Sequence, residues 1–358
     1  AQEINMADAP SENSERSIEG RFRKLHIGKT QDSTRDESSS VSTEATSDCR
    51  ETASKTIAQD GLQCDGNCDG NPIYRDEHIK RREGIEAILG SRHQFCAAFY
   101  HVNEWSHPER ELYCLDENDC EVFKRVKKKE NRKLQPKAVV GVVRYKIEEN
   151  NNQVLYEAKY TNCSKQTKHA EDFFKEDVEM ENGPLKNAID QHPGGTITLY
   201  LTHQPCNWST TTTKTKCTRH NHSCSETLRD IYKCNLQEKV KLYVKPTHVC
   251  SLQIEPGDAD DDKDHEIHPH FGIHEEEAKR KHFRENAVRG MQMLMKVRAE
   301  NKDFDVREME KEDWKYLRSI SDIPEIGDAE NCQRKKLDDY IRDIITKITD
   351  RVPLRQNQ

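Results

Sequence analysis

TITLYLTHQPC, residues 196–206, carries two signals in one run. Its first six residues alternate Ile197, Leu199 and Leu201 with Thr and Tyr partners, the period-two pattern of a strand. Pro193-Gly194-Gly195 precedes it, and the run leads without a break into Pro205-Cys206. Working outward, four more short segments read as strands: AVVGVVRYKI (138–147), VLYEAKY (154–160), VKLYV (240–244) and FDV (304–306). The polar EENNNQ between the first two is a hairpin turn.

Helical patterns separate these strands. One begins at Arg81 with Ile85, Ile88 and Leu89. A second follows Lys168, carries Phe173, Phe174, Val178 and Met180, and breaks near Gly183-Pro184. SETLRDIYKC (225–234) is a third, with Ser223 as its N-cap. The long run 274–297 places Ala287, Val288, Met291, Leu294 and Met295 on one apolar face. EKEDWKYLRSI (310–320) and CQRKKLDDYIRDIITKI (332–348) close the chain. Strands and helices in this order imply an α/β sandwich, one sheet with helices on both faces.

Composition sets the limits of that domain. Of 358 residues, 33% are apolar and 34% charged, more polar than an average globular chain. Residues 1–82, with stretches such as DSTRDESSSVSTEATSD (32–48), read as a disordered tail; 83–350 form the domain and 351–358 a second tail. CDGNCDG, holding Cys64 and Cys68, is a flexible turn, or a metal site needing outside ligands. The net charge of −8 does not mark a nucleic-acid binder as a whole, but its distribution is uneven. Lys124–Lys137 is strongly basic, either a solvated linker or a patch that tracks a phosphate backbone. Asp258–Asp264 is strongly acidic, and His265, His268, His270 and His274 lie close by: a solvated loop, or a second metal site.

Thirteen cysteines without dense spacing do not describe a disulfide scaffold. No apolar run reaches the length of a membrane span, and AQEINMADAP has no signal-peptide core. Of the N-x-S sequons at Asn162, Asn207 and Asn221, the last two fall among the candidate ligands described next, where glycans would be awkward. The expectation is an intracellular protein, cytoplasmic or nuclear, with secretion as the alternative; it does not touch membranes.

KHAEDFF (168–174) supplies the chemistry. Zinc favours imidazole and thiolate ligands, and a catalytic zinc keeps three protein ligands and one open position. His169 offers the nitrogen and Cys206 one thiolate. For the third ligand Cys224, Cys217, His220 and His222 compete; Cys224 is assigned, because it opens a helix whose positive end favours a thiolate. Glu171 is left off the metal as general acid and base. H-x-E followed by P-C-x-x-C is the signature of zinc deaminases acting on nucleobases. H-x-E alone is weak; at a helix start, followed by a strand ending in Pro-Cys and a helix begun by Cys, it is far more specific.

KHAEDFF, LTHQPCNWS, SCSETL and AVRGMQMLMKV with FDVREMEKEDWKYL together resemble the AID/APOBEC polynucleotide cytidine deaminases, and within them the branch of secreted and novel AID/APOBEC-like deaminases. The likeness covers about residues 85–350. It implies a cytidine-deaminase-like three-layer sandwich with a five-stranded mixed sheet, a Zn2+ cofactor, and cytosine in single-stranded DNA or RNA as substrate. It further implies a role in antiviral defence or programmed mutation. It assigns His169, Cys206 and Cys224 to the metal and Glu171 to the proton shuttle. Asn162 matches an Asn that touches the substrate sugar, and His203 stands where many relatives have a Trp of the base pocket. Trp208, just past Cys206, either stacks on a base or packs. Two departures stand out. Seventeen residues (207–223) separate the two cysteines where relatives have two to four, and the segment after the fourth strand is long and acidic. Deamination of a free nucleoside, or a zinc-stabilised binding scaffold without activity, are the competing functions.

Overall fold

The computed structural model describes residues 78–100, 140–147, 153–163, 166–208, 222–249, 273–322 and 332–350. The basic run, the acidic stretch with His265, His268 and His270, the hairpin turn at 148–152, Cys64, Cys68, Cys217, His220 and both predicted tails beyond these bounds lie outside the described residues, whereas His274, expected in that loop, falls in the helix Ile273–Glu300.

Strands β2 (Val140–Ile147) and β3 (Gln153–Thr161) form the expected antiparallel pair. β4 (Thr196–Leu201) lies antiparallel on the other side of β2; β5 (Lys241–Pro246) and β6 (Phe304–Val306) then add in parallel. All five predicted strands are present. Among the described residues the sheet nevertheless has six, because β1 (Ile79–Arg81) pairs antiparallel with β3 at the edge. Three residues, two of them basic, leave no periodic pattern to read, and β1 falls at the end of the stretch assigned to the first tail. The order is β1-β3-β2-β4-β5-β6, a mixed α/β sheet.

Both faces of this sheet are covered. Val142 pairs with Tyr200 and Val143 with Leu199 across β2 and β4, and neighbours along a strand point to opposite faces. Val143, Leu199, Leu201, Leu242 and Val244 belong to one buried cluster, joined by α2 (Ala170–Glu179), α3 (Pro184–Gln191), α4 (Cys224–Ile231), α5 (Ile273–Glu300) and α7 (Cys332–Asp350). Val142 and Tyr200 belong to the second, with α1 (Arg92–Phe95), the π-helical turn Cys96–Tyr100 and α6 (Lys311–Ser319). Every residue of β4 is therefore buried, the polar-looking Thr196 and Thr198 included. Alternation correctly marked a strand there, but it did not reveal that a central strand has no wet side.

Two helix assignments change. Residues 82–90 are not helical, although Ile88 and Leu89 are buried as their spacing suggested. Gly84 and Gly90 both take left-handed φ, +62° and +74°, which breaks a helical run at each of them, and Ile85 is 96% exposed. Gly183-Pro184 does end one helix, but it also starts α3. Pro184 sits in the first turn, where its missing N–H is not needed.

A buried carboxylate fixes β1 to this framework. Asp177 on α2 accepts from the hydroxyl of Tyr160 at 2.6 Å, from the hydroxyl of Tyr156, and from Arg81 of β1 at 2.6 Å. Asp177→Asn removes the anion and presents an amide donor to groups that already donate. The expected cost is about 2–4 kcal/mol, read as a lower urea midpoint at unchanged slope.

Candidate metal centre

The centre is assembled at the start of α2, the exit of β4 and the start of α4. After β3 the chain makes a tight return, with Cys163 and Lys168 exchanging backbone hydrogen bonds of 2.9 and 3.1 Å. Thr167 completes it in a left-handed conformation, φ +52°, which costs a β-branched residue on the order of 1–3 kcal/mol. The turn delivers His169 in extended backbone as the N-cap of α2. His169 and Glu171 diverge because only Glu171 is on the helix. Two side chains then satisfy backbone donors at the helix start: His169 N donates to Asp172 Oδ2 at 2.8 Å, and Ala170 N to Asn162 Oδ1 at 2.8 Å.

Beyond β4 the chain runs beside the segment that leaves β5. Thr247 N donates to the Leu201 carbonyl at 2.8 Å and Gln204 N to the His248 carbonyl at 3.0 Å. The Cys206 carbonyl then accepts from Ser225 N at 3.0 Å, tying this segment to the first turn of α4. Ser223 caps α4 as expected, its hydroxyl accepting from Glu226 N at 3.1 Å while donating to Asn207 Oδ1 at 2.8 Å. Asn207 is 3% exposed and its Nδ2 donates to the Asn286 carbonyl on α5 at 3.1 Å, so its sequon has no room for a glycan.

Gly290 lets α5 come this close. A Cβ there would lie 2.6 Å from Asn207 Cβ and 2.7 Å from Ser225 Oγ. Gly290→Ala is expected to cost about 1–3 kcal/mol and to weaken metal binding, because the segment that must yield carries Cys206. Thermal unfolding with and without metal, together with a zinc-competition titration, checks both.

These elements bring His169, Cys206 and Cys224 together as predicted, and they add His222. The ligand atoms of all four lie within 4.8 Å of one another. His169 Nδ1 is 3.2 Å from Cys224 Sγ and 3.5 Å from Cys206 Sγ; His222 Nδ1 is 3.6 and 3.8 Å from Cys206 and Cys224 Sγ. A tetrahedral zinc with sulfur at ~2.3 Å and nitrogen at ~2.0–2.1 Å separates such donors by about 3.5 Å. Donor type and spacing therefore fit a metal ion. His222 was among the competitors for the third place; it stands beside Cys224, not instead of it. Among the described residues this is the group of donors suited to a metal.

Charge is concentrated here. Cys206 is held well below the usual thiol range, first by its contact with Cys224 and, against burial, by His169 and His222. Burial and the neighbouring Cys206 sulfur push the Cys224 thiol well up. Burial opposes charge on His222, but Asp172 Oδ2, 2.7 Å from Nε2, and Cys206 override it and raise the ring to about 10. A metal ion takes the place of these protons, so its binding releases them. Asp172 serves both imidazoles, through the backbone of His169 and the ring of His222, and its carboxyl is lowered: burial works against this, and His222 prevails.

Glu171 completes the site. It is 2% exposed, and its Oε2 has no hydrogen-bond partner. Burial raises its carboxyl to about 6; His169 lowers it in part, while Cys206 adds to the rise. A buried carboxylate oxygen with no partner, beside a cluster that could hold a metal ion, is costly for the fold.

The three residues named for substrate contact have separate positions. Asn162 is engaged by the start of α2. His203 is partly buried, with its ring 5.7 Å from that of His248. Trp208 is 53% exposed, and its φ of +52° is a conformation that bulky side chains seldom adopt. Among the described residues no helix is long and apolar enough to cross a membrane. No family model matches this chain, and no curated protein matches it.

Proposed function

We propose that this chain is a zinc-dependent hydrolase of the AID/APOBEC-like kind that converts cytosine to uracil in single-stranded nucleic acid, DNA in preference to RNA. The single observation that carries the reading is the unpartnered Oε2 of buried Glu171, next to His169, Cys206 and Cys224. A purely structural metal site has no use for that carboxylate. The α/β sheet with helices on both faces suits the three-layer deaminase sandwich, with β1 as an added edge strand.

Bound zinc supplies Lewis-acid activation of water, lowering its pKa towards ~7. Glu171 does the proton work: Oε2 accepts a proton as the water oxygen bonds to C4 and passes it to N3, then carries the remaining hydroxyl proton to the exocyclic nitrogen, so that ammonia leaves as the C4–N4 bond breaks and the C4 carbonyl forms. His169, Cys206 and Cys224 hold their positions through the backbone bond from Ser225 to Cys206, which ties the β4 exit to α4, and through the Asp172–His222 pair, which ties α2 to the same segment. Trp208 offers an exposed aromatic face to a neighbouring base, as sequence-tolerant single-strand binders do.

A specific observation favours a second reading. His222 places a fourth donor at ligand spacing, and a four-ligand zinc is the arrangement of a structural site. The test is incubation of the zinc-loaded protein with single-stranded and duplex oligonucleotides bearing one cytosine, and with free cytidine. Uracil in the single strand alone supports the proposal. Product from cytidine alone assigns a nucleoside deaminase, and no product from any substrate, by this protein or by a His222→Ala variant, assigns the scaffold.

A further inference from the structure

We propose that His222 is a fourth protein ligand to the metal, so that the resting centre is closed by two imidazoles and two thiolates and water gains access only when His222 is withdrawn. The inference deepens the deaminase reading and rests on it for its functional consequence, latency; the ligand assignment stands on geometry alone. His222 Nδ1 meets the two sulfurs at 3.6 and 3.8 Å, against 3.5 and 3.2 Å for the expected ligand His169. The two rings lie with centroids 4.6 Å apart, which places both on one small volume between the sulfurs. Asp172 Oδ2 holds Nε2 at 2.7 Å, an outer carboxylate of the sort that fixes a ligand histidine and aims its other nitrogen at the metal. His222 sits two residues before Cys224 on extended backbone through Ser223, and in extended backbone residues i and i+2 face the same side. One short segment thus delivers two ligands. The same carboxylate oxygen also accepts from His169 N, so Asp172 is a positioning residue for both imidazoles.

X-ray absorption on the zinc-loaded full chain tests the assignment directly, without any variant. The expected shell is two sulfurs and two imidazole nitrogens. A shell of two sulfurs, one imidazole and one oxygen overturns the inference and leaves the deaminase reading intact. His222→Ala and Asp172→Asn extend the test. His222→Ala is expected to weaken zinc at least ~10-fold by competition titration, and to let azide perturb the visible spectrum of the cobalt-substituted protein, which azide leaves unchanged in the wild type. Asp172→Asn is expected to weaken zinc by about 10–100-fold. An azide response already present in the wild type counts against closure. If the four-ligand shell is found and His222→Ala also produces uracil faster than wild type, latency is supported. If the shell is found but neither protein deaminates any substrate, the ligand assignment holds and the deaminase reading falls.

Discussion

Glu171→Gln is expected to abolish uracil formation from a single-stranded oligonucleotide while leaving zinc at one ion per chain. Positioned acid–base groups contribute about 10²–10⁴-fold to rate, and here one carboxylate would serve every proton transfer, so the loss should reach at least the upper end of that range. The isosteric amide keeps the shape of the start of α2 and can still accept from its surroundings, but it cannot take a proton from water. A second effect runs in the opposite direction. The wild-type carboxylate is buried with one oxygen unpartnered, and replacing it with a neutral group should stabilise the metal-free protein by on the order of 1 kcal/mol. Loss of activity with retained zinc and a raised melting temperature is the signature of a group kept for chemistry at the expense of stability. Full activity in this variant would sink the proposed mechanism, because no other buried carboxylate among the described residues sits beside the cluster with an unpartnered oxygen.

Cys224→Ser is expected to reduce bound zinc from one per chain to below a tenth, and to lower the melting temperature of protein purified in the presence of zinc to that of the metal-free wild type. A hydroxyl is a poor ligand for zinc beside a thiolate, and Cys224 holds a completely buried corner of the cluster. Cys206→Ser should behave alike. Cys217→Ser should leave zinc content unchanged; loss of metal in that variant instead would transfer the ligand role to it. Metal analysis of purified proteins, with thermal unfolding before and after chelation, gives the result.

The parts of this fold that could be read from the chain were those in which one element repeats a simple spacing. β2 to β6 are short, β-branched and bounded by turn residues, and the face of α5 was visible as Ala287, Met291, Leu294 and Met295, all buried. Ser223 announced α4 through its capping chemistry. What escaped depended on contacts between distant residues. β1 exists because Arg81 reaches Asp177, 96 positions away, and nothing in Ile-Lys-Arg signals that. The segment 82–90 has helical spacing, but two glycines at left-handed φ override it. At the candidate site, the grouping of His169, Cys206 and Cys224 was legible because metal-ligand chemistry limits the residue types and the elements came in the right order. His222 was weighed only as a substitute, although its place two residues before Cys224 on an extended approach was the available signal. Asp172 gave no signal of its own: its role appears only when α2 and α4 are side by side.

Helix α7 has a consequence for how firmly an ion can be kept. Leu337, Ile341, Ile344, Ile345 and Ile348 of α7 share a buried cluster with Phe173 and Phe174 of α2 and Leu228 of α4, the helices that begin at the candidate metal centre. Without α7 the apolar cluster that these helices share is incomplete. Removing residues 332–350 should therefore let a chelator strip zinc faster than it does from the protein that keeps them.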